Sequence, residues 1–314
     1  MNRRDFIRHS GMASLSIPFV GYFSENNKTI ERSICVFSKL LQWLDYDELA
    51  EVVKAMGFDG IDLTVRQGGH VLPENIQTDL PKAANAIEKR GLTIPIVASS
   101  VNNADNKNTV TFLKALKDTG IKKYRMAYYR YEEGMSVPEN LKLLTRRAQE
   151  LADLNAKYSI HGAYQNHAGP LVGGPIWDIW YIIKDISPRW MGVQYDIRHA
   201  TVEGGRSWPT TLNLIYPFIN SMVIKDFKWE FENGNKRIRN VPFGEGMVDF
   251  DAYFQFVKEK NISGPITLQY EFPIMSEEEE ATLSRTKKID KTIEVMKNDL
   301  DKLKAMLTRH GLRP

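Results

Sequence analysis

The chain has 314 residues, of which 42% are hydrophobic and 26% are charged, and its formal net charge is +3. A chain of this composition can bury a large core, and without a Lys/Arg block interleaved with aromatic residues it is not expected to bind nucleic acid. Cys35 is the only cysteine, which excludes an intramolecular disulfide and a zinc–thiolate site.

Residues 1–30 are predicted to be an export signal and linker rather than part of the fold. The paired arginines Arg3 and Arg4 precede a weakly apolar run at 11–23 that is too short to span a membrane. This arrangement resembles a bacterial twin-arginine signal, which directs export and is not part of the folded domain. We therefore expect a periplasmic protein without a stable membrane span. The alternative is a frayed basic arm.

From residue 33 onward, short β-branched runs alternate with amphipathic helical patterns. The predicted strands span 33–38, 60–65, 93–98, 123–128, 158–163, 191–195, 221–226 and 265–270. The predicted helices span 45–56, 79–90, 108–119, 138–155, 176–186, 210–219, 250–260 and about 277–307. Ser276 and Glu279 form a capping-box pattern at the start of the last helix.

Eight strands and eight helices in strict alternation predict an α/β fold, a single (β/α)8 TIM barrel over 31–314. The alternative, a doubly wound open sheet with a nucleotide site, requires a glycine-rich turn after the first strand. Residues 38–41 contain no glycine, which disfavours that alternative. The connection at 227–246 is long, and we expect it to form a lid or a pocket wall.

Polar side chains follow the predicted strands, at the end of the barrel where TIM-barrel active sites lie. A carboxylate and an imidazole at such a strand end, as in Asp196 and His199, can bind a metal or move a proton. The candidates after the second, fourth, fifth, sixth, seventh and eighth strands are Thr64, Arg66, His70 and Glu74; Tyr128, Tyr129, Arg130 and Tyr131; Gln165, Asn166 and His167; Asp196, Arg198 and His199; Lys225 and Asp226; and Glu271.

Several of these segments, in this order, resemble the sugar phosphate isomerase/epimerase family with the xylose-isomerase-like barrel. The resemblance covers about 33–272 and rests on short motifs that fall on successive strands. The motifs are Met56-Gly57-Phe58 with Gly60-Ile61-Asp62-Leu63, Gln165-Asn166-His167, Asp196-Ile197-Arg198-His199, Val223-Ile224-Lys225-Asp226, Gly244-Glu245-Gly246 with Asp249, and Glu271.

The resemblance implies a divalent metal held by a Glu, an Asp, a His and a Glu on strands five to eight. Asp196 and Glu271 match two of these positions, Gln165 replaces the first Glu and Val223 replaces the His. The implied ligands are therefore Gln165, Asp196 and Glu271, and such an oxygen set favours Mn²⁺, Mg²⁺ or Co²⁺ over Zn²⁺. The alternative is a hydrogen-bonded polar cluster that includes Lys225 and holds no ion.

The resemblance also implies a carbohydrate-active enzyme of the isomerase/epimerase type, which abstracts a proton next to a carbonyl group. Gln165 cannot accept a proton, which argues against a two-base epimerase. The catalytic candidates are His199, Glu271 and Lys225. His199 is preferred as the base because its unperturbed pKa near 6.5 suits neutral pH. Glu271 would then be a metal ligand, and Lys225 would stabilise the oxyanion.

Three alternatives remain open for the function. One is a lyase that eliminates the aglycone from 3-oxo-glycosides, and another is a periplasmic sugar-binding protein without catalysis. An endonuclease-like hydrolase is disfavoured because it needs a multi-zinc cluster of His and Glu ligands.

The expected partner is a small sugar, and the protein could form an oligomer. The candidates for substrate contacts are Arg66, His70, His167, Arg198 and Trp43, whereas His161 is predicted to be a core residue inside a strand.

Overall fold

The computed structural model describes residues 32–313, so the predicted export signal lies outside the described residues. Eight parallel strands close into a barrel in chain order. A two-stranded antiparallel hairpin of β8 (Asp226–Glu232) and β9 (Asn235–Val241) lies outside it. The barrel strands are β1 (Ile34–Phe37), β2 (Gly60–Val65), β3 (Thr93–Ser99), β4 (Lys123–Arg125), β5 (His161–Gln165), β6 (Met191–Asp196), β7 (Ile219–Ile224) and β10 (Ile266–Leu268). The predicted (β/α)8 barrel is confirmed.

Helices connect the strands around the outside of the barrel, as the alternating pattern predicts. They are α1 (Tyr46–Met56), α2 (Ile76–Lys89), α3 (Lys107–Asp118), α4 (Val137–Tyr158), α5 (Ile176–Ile183), α6 (Ile197–Gly204), α7 (Trp208–Ile215), α8 (Phe250–Glu259), α9 (Glu277–Thr282) and α10 (Arg285–Arg309). Within the part of the chain that the structure describes, no helix is long and apolar enough to cross a membrane.

Local sequence signals account for many helix ends. Asp45 begins α1 with a capping box to Glu48, and Gly57 ends the helix in the left-handed region at φ +90°. The predicted capping box of Ser276 with Glu279 is confirmed. The closing helix is nevertheless interrupted, because Ser284 caps a second helix, α10, just after α9 ends.

Several other boundaries differ from the prediction, among them those at β5, after β6 and at 227–246. Strand β5 begins at His161 because α4 continues to Tyr158 and ends on Ser159, whose φ is +57°. The stretch after β6, where no helix was predicted, is helix α6, with Asp196 as its N-cap. The predicted loop at 227–246 contains most of the hairpin, in which β8 (Asp226–Glu232) pairs with β9 (Asn235–Val241).

The barrel interior carries a buried polar layer below the site. Asp62 Oδ2 accepts hydrogen bonds from Gln194 Nε2 at 3.2 Å and Thr267 Oγ1 at 3.1 Å. Burial raises the pKa of Asp62 to about 6, although the charge of Arg125 acts to lower it. In the strand register above this layer, Asp196 on β6 is level with Val223 on β7. Asp196 and Val223 therefore lie at the same level along the barrel axis, on neighbouring strands.

Candidate active site

The ammonium of Lys225 lies at the centre of a cluster at the carboxyl end of the barrel. Lys225 follows β7 directly, and its side chain is 3% exposed. Its Nζ lies 2.9 Å from Glu271 Oε1, 3.2 Å from Asp196 Oδ2 and 2.9 Å from His199 Nε2. The predicted catalytic candidates His199, Glu271 and Lys225 are therefore brought together around one cation.

Asp196 ends β6 and also starts α6. Its Oδ1 accepts a hydrogen bond from the backbone N–H of His199 at 3.0 Å. Asn166 fixes the backbone of Asp196 from the neighbouring strand, with its Nδ2 donating to the carbonyl and its Oδ1 accepting from the N–H. The Asp196 side chain is fully buried. The placement of this carboxylate is thus determined by backbone hydrogen bonds on both sides.

Both ring nitrogens of His199 face cationic donors. Nε2 faces Lys225 Nζ, and Nδ1 lies 3.0 Å from an Nη1 of Arg198. Burial, followed by the charges of Lys225, His167 and Arg198, holds the pKa of His199 well below 6.5. The sequence prediction assumed an unperturbed pKa for this residue. The imidazole is neutral at pH 7 and carries one proton, with Asp196 Oδ2 3.5 Å from its Nε2, and the cations around it oppose a second proton.

Gln165 directs its two amide atoms at different partners. Its Nε2 donates to Asp196 Oδ2 at 2.9 Å. Its Oε1 accepts from Arg125 Nη1 at 2.7 Å and from the Tyr128 hydroxyl at 2.8 Å. Since a guanidinium can only donate, Arg125 determines this orientation of the amide.

Glu271 is the carboxylate of the cluster that solvent reaches, with 28% of its side chain exposed. Partial burial raises its pKa, but the charge and the hydrogen bond of Lys225 outweigh this, so the pKa lies below its ordinary value. The hairpin reaches the same place: Asn240 on β9 donates to the Glu271 carbonyl oxygen and accepts a hydrogen bond from Arg198. The 227–246 segment therefore borders the site.

Of the predicted substrate-binding residues, His167 lies beside the cluster, whereas His70 and Trp43 form hydrogen bonds to other parts of the chain. The His167 ring lies against His199, with 4.1 Å between ring centroids, and burial lowers the pKa of His167. Both ring nitrogens of His70 have partners within the chain, in Ser38 and the Leu41 carbonyl. Trp43 is 38% exposed, and its indole N–H donates to the Leu40 carbonyl.

His161 lies at the opposite, amino end of β5 and is 8% exposed, in agreement with a core position. Its Nδ1 contacts the Arg189 carbonyl at 3.0 Å, while Nε2 has no hydrogen-bond partner within 32–313. Burial lowers the pKa of His161 to about 4.

Asp226, next to Lys225, is structural. Its carboxylate accepts hydrogen bonds from the backbone N–H groups of Phe227, Gly244, Gly246 and Val248. A Cβ at position 246 would lie 2.0 Å from Asp226 Oδ1, so only glycine fits there. The Gly244-Glu245-Gly246 motif thus wraps around the carboxylate that anchors the end of β7.

The sequence profile of the xylose isomerase-like TIM barrel family matches residues 50–299, most of the described chain. The chain belongs to this family.

Relatives of this xylose isomerase-like barrel include sugar epimerases. A protein of Haemophilus influenzae, provisionally named an L-ribulose-5-phosphate 3-epimerase, is 23% identical over 256 residues, which cover 76% of this chain and 88% of the relative. The 3-keto-D-glucoside 4-epimerase of E. coli superposes with a TM-score of 0.63 at 15% identity, covering 88% of this chain and 100% of that one. The zinc-bound IolI protein superposes with a TM-score of 0.65 at 19% identity, covering 86% of this chain and 98% of that one.

The zinc in one structural neighbour raises the question of whether this xylose isomerase-like barrel fits a divalent metal. Its residues do not. The two implied carboxylate ligands, Asp196 and Glu271, are both paired with the ammonium of Lys225. The carbonyl oxygen of Gln165 accepts hydrogen bonds from Arg125 and Tyr128, and Val223 offers no ligand atom. Within 32–313, no three His, Cys, Asp or Glu side chains are arranged to hold a metal ion.

Sequence reasoning missed two residues of the site. Arg125 was counted only as part of a strand, although a charged residue in a buried strand signals a polar interior. Asn240 was inside a presumed loop, and no sequence signal connects it with Glu271.

Proposed function

We propose that this protein is a sugar isomerase/epimerase-type enzyme that removes a proton from the carbon next to a carbonyl group. The observation that carries the proposal is the 2.9 Å pair between Lys225 Nζ and Glu271 Oε1 at the carboxyl end of the barrel. It combines a carboxylate that solvent reaches with a cation that is 3% exposed. A base beside a fixed positive charge is what enolate formation requires.

In the proposed reaction, Glu271 accepts the proton and Lys225 stabilises the oxygen. The carbon–hydrogen electron pair moves into the new carbon–carbon double bond, and the carbonyl electron pair moves onto oxygen. Negative charge thus passes from the Glu271 carboxylate to the substrate oxygen while the same ammonium stays beside it. The hydroxyl proton on the carbon that lost its hydrogen then moves to the former carbonyl oxygen. Return of the proton from Glu271 to the former carbonyl carbon forms the new carbonyl group and completes an isomerisation with no net gain or loss of atoms.

Glu271 is preferred to His199 as the base for a geometric reason. His199 is 2% exposed, and its nitrogens face Arg198 and Lys225. A proton arriving on that ring would be opposed by two cations. Lys225 is the one cation that contacts Glu271 among the described residues. When Glu271 takes up the proton and becomes neutral, the ammonium of Lys225 is free to pair with the substrate oxygen. His199 is proposed to hold Lys225 in place.

The proposed reaction contains no metal step, because the donor set does not fit a divalent ion. Lys225 supplies the positive charge that the oxyanion needs. This role matches the part of the sequence prediction that assigned oxyanion stabilisation to Lys225, and replaces the part that assigned Glu271 to a metal.

A lyase acting on 3-oxo-glycosides is the second candidate. Elimination needs one base only, and the site offers one, since Gln165 cannot accept a proton. The enolate oxygen would re-form the 3-oxo group as a double bond forms between C1 and C2, and the aglycone would leave C1 with the proton that Glu271 had accepted. Similarity in fold to a 3-keto-D-glucoside 4-epimerase supports this class of substrate.

The test is a screen of free sugars, sugar phosphates and 3-oxo-glycosides in D₂O, followed by NMR of deuterium at carbon. We expect exchange with at least one keto-sugar, and a 10²–10⁴-fold loss in Glu271→Gln, the usual contribution of a positioned base. Aglycone release together with exchange would favour the lyase. Tight sugar binding without exchange by the wild type would indicate a binding protein instead.

We also propose that the protein is exported through the paired arginines at positions 3 and 4. Fusion of residues 1–31 to a reporter should direct it to the periplasm, and replacing both arginines by lysine should prevent this. Cytoplasmic retention of the unaltered fusion would contradict the proposal.

A further inference from the structure

Two arginines share one aromatic ring at the carboxyl end of the barrel. The guanidinium carbon of Arg66 lies 5.7 Å from the centroid of the Phe37 ring, and that of Arg125 lies 5.5 Å from the same centroid. Arg66 follows β2, whereas Phe37 and Arg125 end β1 and β4. The ends of β1, β2 and β4 therefore place two like charges against one ring, where burial, followed by the charge of Arg125, lowers the pKa of Arg66.

Neither arginine has a carboxylate partner. Among the described residues, no hydrogen bond or ion pair involves the guanidinium of Arg66, which is half-buried. Arg125 is 5% exposed and uses Nη1 for Gln165 and Tyr128, while its Nε has no partner. Buried guanidinium donors without acceptors are costly unless something else supplies the acceptor.

The local charge balance is positive by one. Asp62 is the acidic group that acts on both guanidiniums, but its Oδ2 is bonded to Gln194 and Thr267 and not to either arginine. Two guanidiniums and one buried carboxylate leave a single positive charge to be compensated. A monoanion would neutralise it, whereas a phosphate dianion would overcompensate.

We propose that Arg66 and Arg125 bind the carboxylate of a sugar-acid substrate, at the end of the substrate away from the reacting carbonyl. A carboxylate offers two oxygens in one plane, which is the geometry that a guanidinium binds in a bidentate manner. This inference rests on the proposed function and adds the substrate class to it.

The two halves of the substrate site are connected through Gln165. Its amide lies between Arg125, at 2.7 Å, and Asp196, at 2.9 Å, and Asp196 in turn contacts Lys225. A sugar acid would thus place its carboxylate on the arginines and its carbonyl group toward Lys225. Tyr128, which bonds both Arg125 and Gln165, would border the sugar between them.

The test is equilibrium binding by calorimetry to the full-length protein, in the Glu271→Gln background so that turnover does not interfere. D-Glucuronate and D-galacturonate are compared with D-glucose and D-galactose, and D-glucose 6-phosphate is the phosphate arm. We expect at least one acid to bind at least about tenfold more tightly than its neutral counterpart, as charge-assisted hydrogen bonds predict. Arg66→Gln should remove this preference, and Arg66→Lys should retain part of it.

Arg90→Gln is the matched control, because Arg90 is an exposed arginine near the amino end of β3, away from this site. It should leave the preference for the acid unchanged. Equal affinity for acids and neutral sugars, or a preference that survives Arg66→Gln, would overturn the inference. Tighter binding of the phosphate than of either acid would also overturn it. The proposed function fails separately, if the wild type exchanges no carbon-bound hydrogen while acids still bind.

Discussion

The ammonium of Lys225 lies 2.9 Å from the carboxylate of Glu271, a residue 46 positions later in the chain. The same ammonium contacts Asp196 at 3.2 Å. One lysine therefore occupies the space between two carboxylates, where the sequence comparison had implied an ion. The charge that would assist enolate formation is part of the polypeptide.

Replacing Lys225 by Met should reduce deuterium exchange by about 10²–10³-fold, because one fixed donor to the oxyanion is lost. It should also change the pH profile. In the wild type the pKa of Glu271 lies below its ordinary value, so exchange should fall only at pH values below the ordinary glutamate range. Without Lys225, burial raises that pKa and moves the acid limb toward neutral pH.

The matched control for this experiment is Lys228→Met, which removes an exposed lysine from the hairpin. Its exchange rate and acid limb should match the wild type. An unchanged acid limb in Lys225→Met would show that Glu271 is not the titrating base.

Replacing His199 by Gln separates the two candidate bases. If Glu271 is the base, exchange should stay within about tenfold of the wild-type rate, because Asp196 and Glu271 still hold Lys225 in place when the contact from His199 is lost. If His199 were the base, the loss would be about 10²–10⁴-fold. Single-turnover exchange rates measured on the folded variant decide between these outcomes.

Chelation should leave the activity intact, since the carboxylates Asp196 and Glu271 are already paired with Lys225. Protein dialysed against EDTA should exchange deuterium at the rate of the untreated protein, and added Mn²⁺, Mg²⁺ or Co²⁺ should not increase it. Loss of exchange on dialysis and its restoration by one of these ions would contradict the Lys225 mechanism.

His161 should make the fold sensitive to mild acid. Its pKa in the folded protein, about 4, lies below the ordinary value of 6.5. As pH falls below 6.5 the unfolded chain takes up a proton first, so the stability from the neutral imidazole is complete above pH 6.5 and decreases toward pH 4. Between pH 7 and pH 5 this contributes about 2 kcal/mol to the fall in the free energy of unfolding.

The measurement is urea unfolding at several pH values, with His161→Gln as the comparison. The variant lacks the titrating group, so its free energy of unfolding should fall less steeply across this range. Parallel curves for the two proteins would rule out this role of His161.

Gly246→Ala should destabilise the fold by roughly 1–3 kcal/mol, because its Cβ would lie 2.0 Å from Asp226 Oδ1. Gly204→Ala is the control: the nearest atoms to its Cβ lie at 3.5 Å, and its φ is −88°. That change should be neutral or slightly stabilising. Unfolding midpoints in urea measure both, and equal midpoints would refute the close contact.

The barrel could be predicted because parallel strands buried on both faces appear as short apolar runs. The predicted bounds of β2 at 60–65 match the structure. The hairpin could not be predicted, since its strands Asp226–Glu232 and Asn235–Val241 are charged and largely exposed. Helix α6 is only eight residues long and follows its cap directly, so apolar periodicity did not reveal it.

Within the site, Asp196, Lys225 and Glu271 were expected to follow strands of one barrel, and the structure brings them together because the carboxyl ends of parallel strands share one end of the barrel. The direction of the Gln165 amide could not be predicted. It depends on Arg125, which lies on a neighbouring strand forty residues earlier in the sequence. The pKa of His199 likewise depends on burial and on four surrounding groups that only the folded chain assembles.

The loop held by Asp226 has a thermodynamic consequence for the lysine before it. A free lysine side chain loses up to about 2 kcal/mol of rotamer entropy when it is immobilised. Four backbone N–H groups bind the Asp226 carboxylate. Four side chains surround the ammonium of Lys225, those of Asp196, His199, Gln269 and Glu271. That entropy is therefore lost once, when the chain folds, and substrate binding does not have to order the cation again.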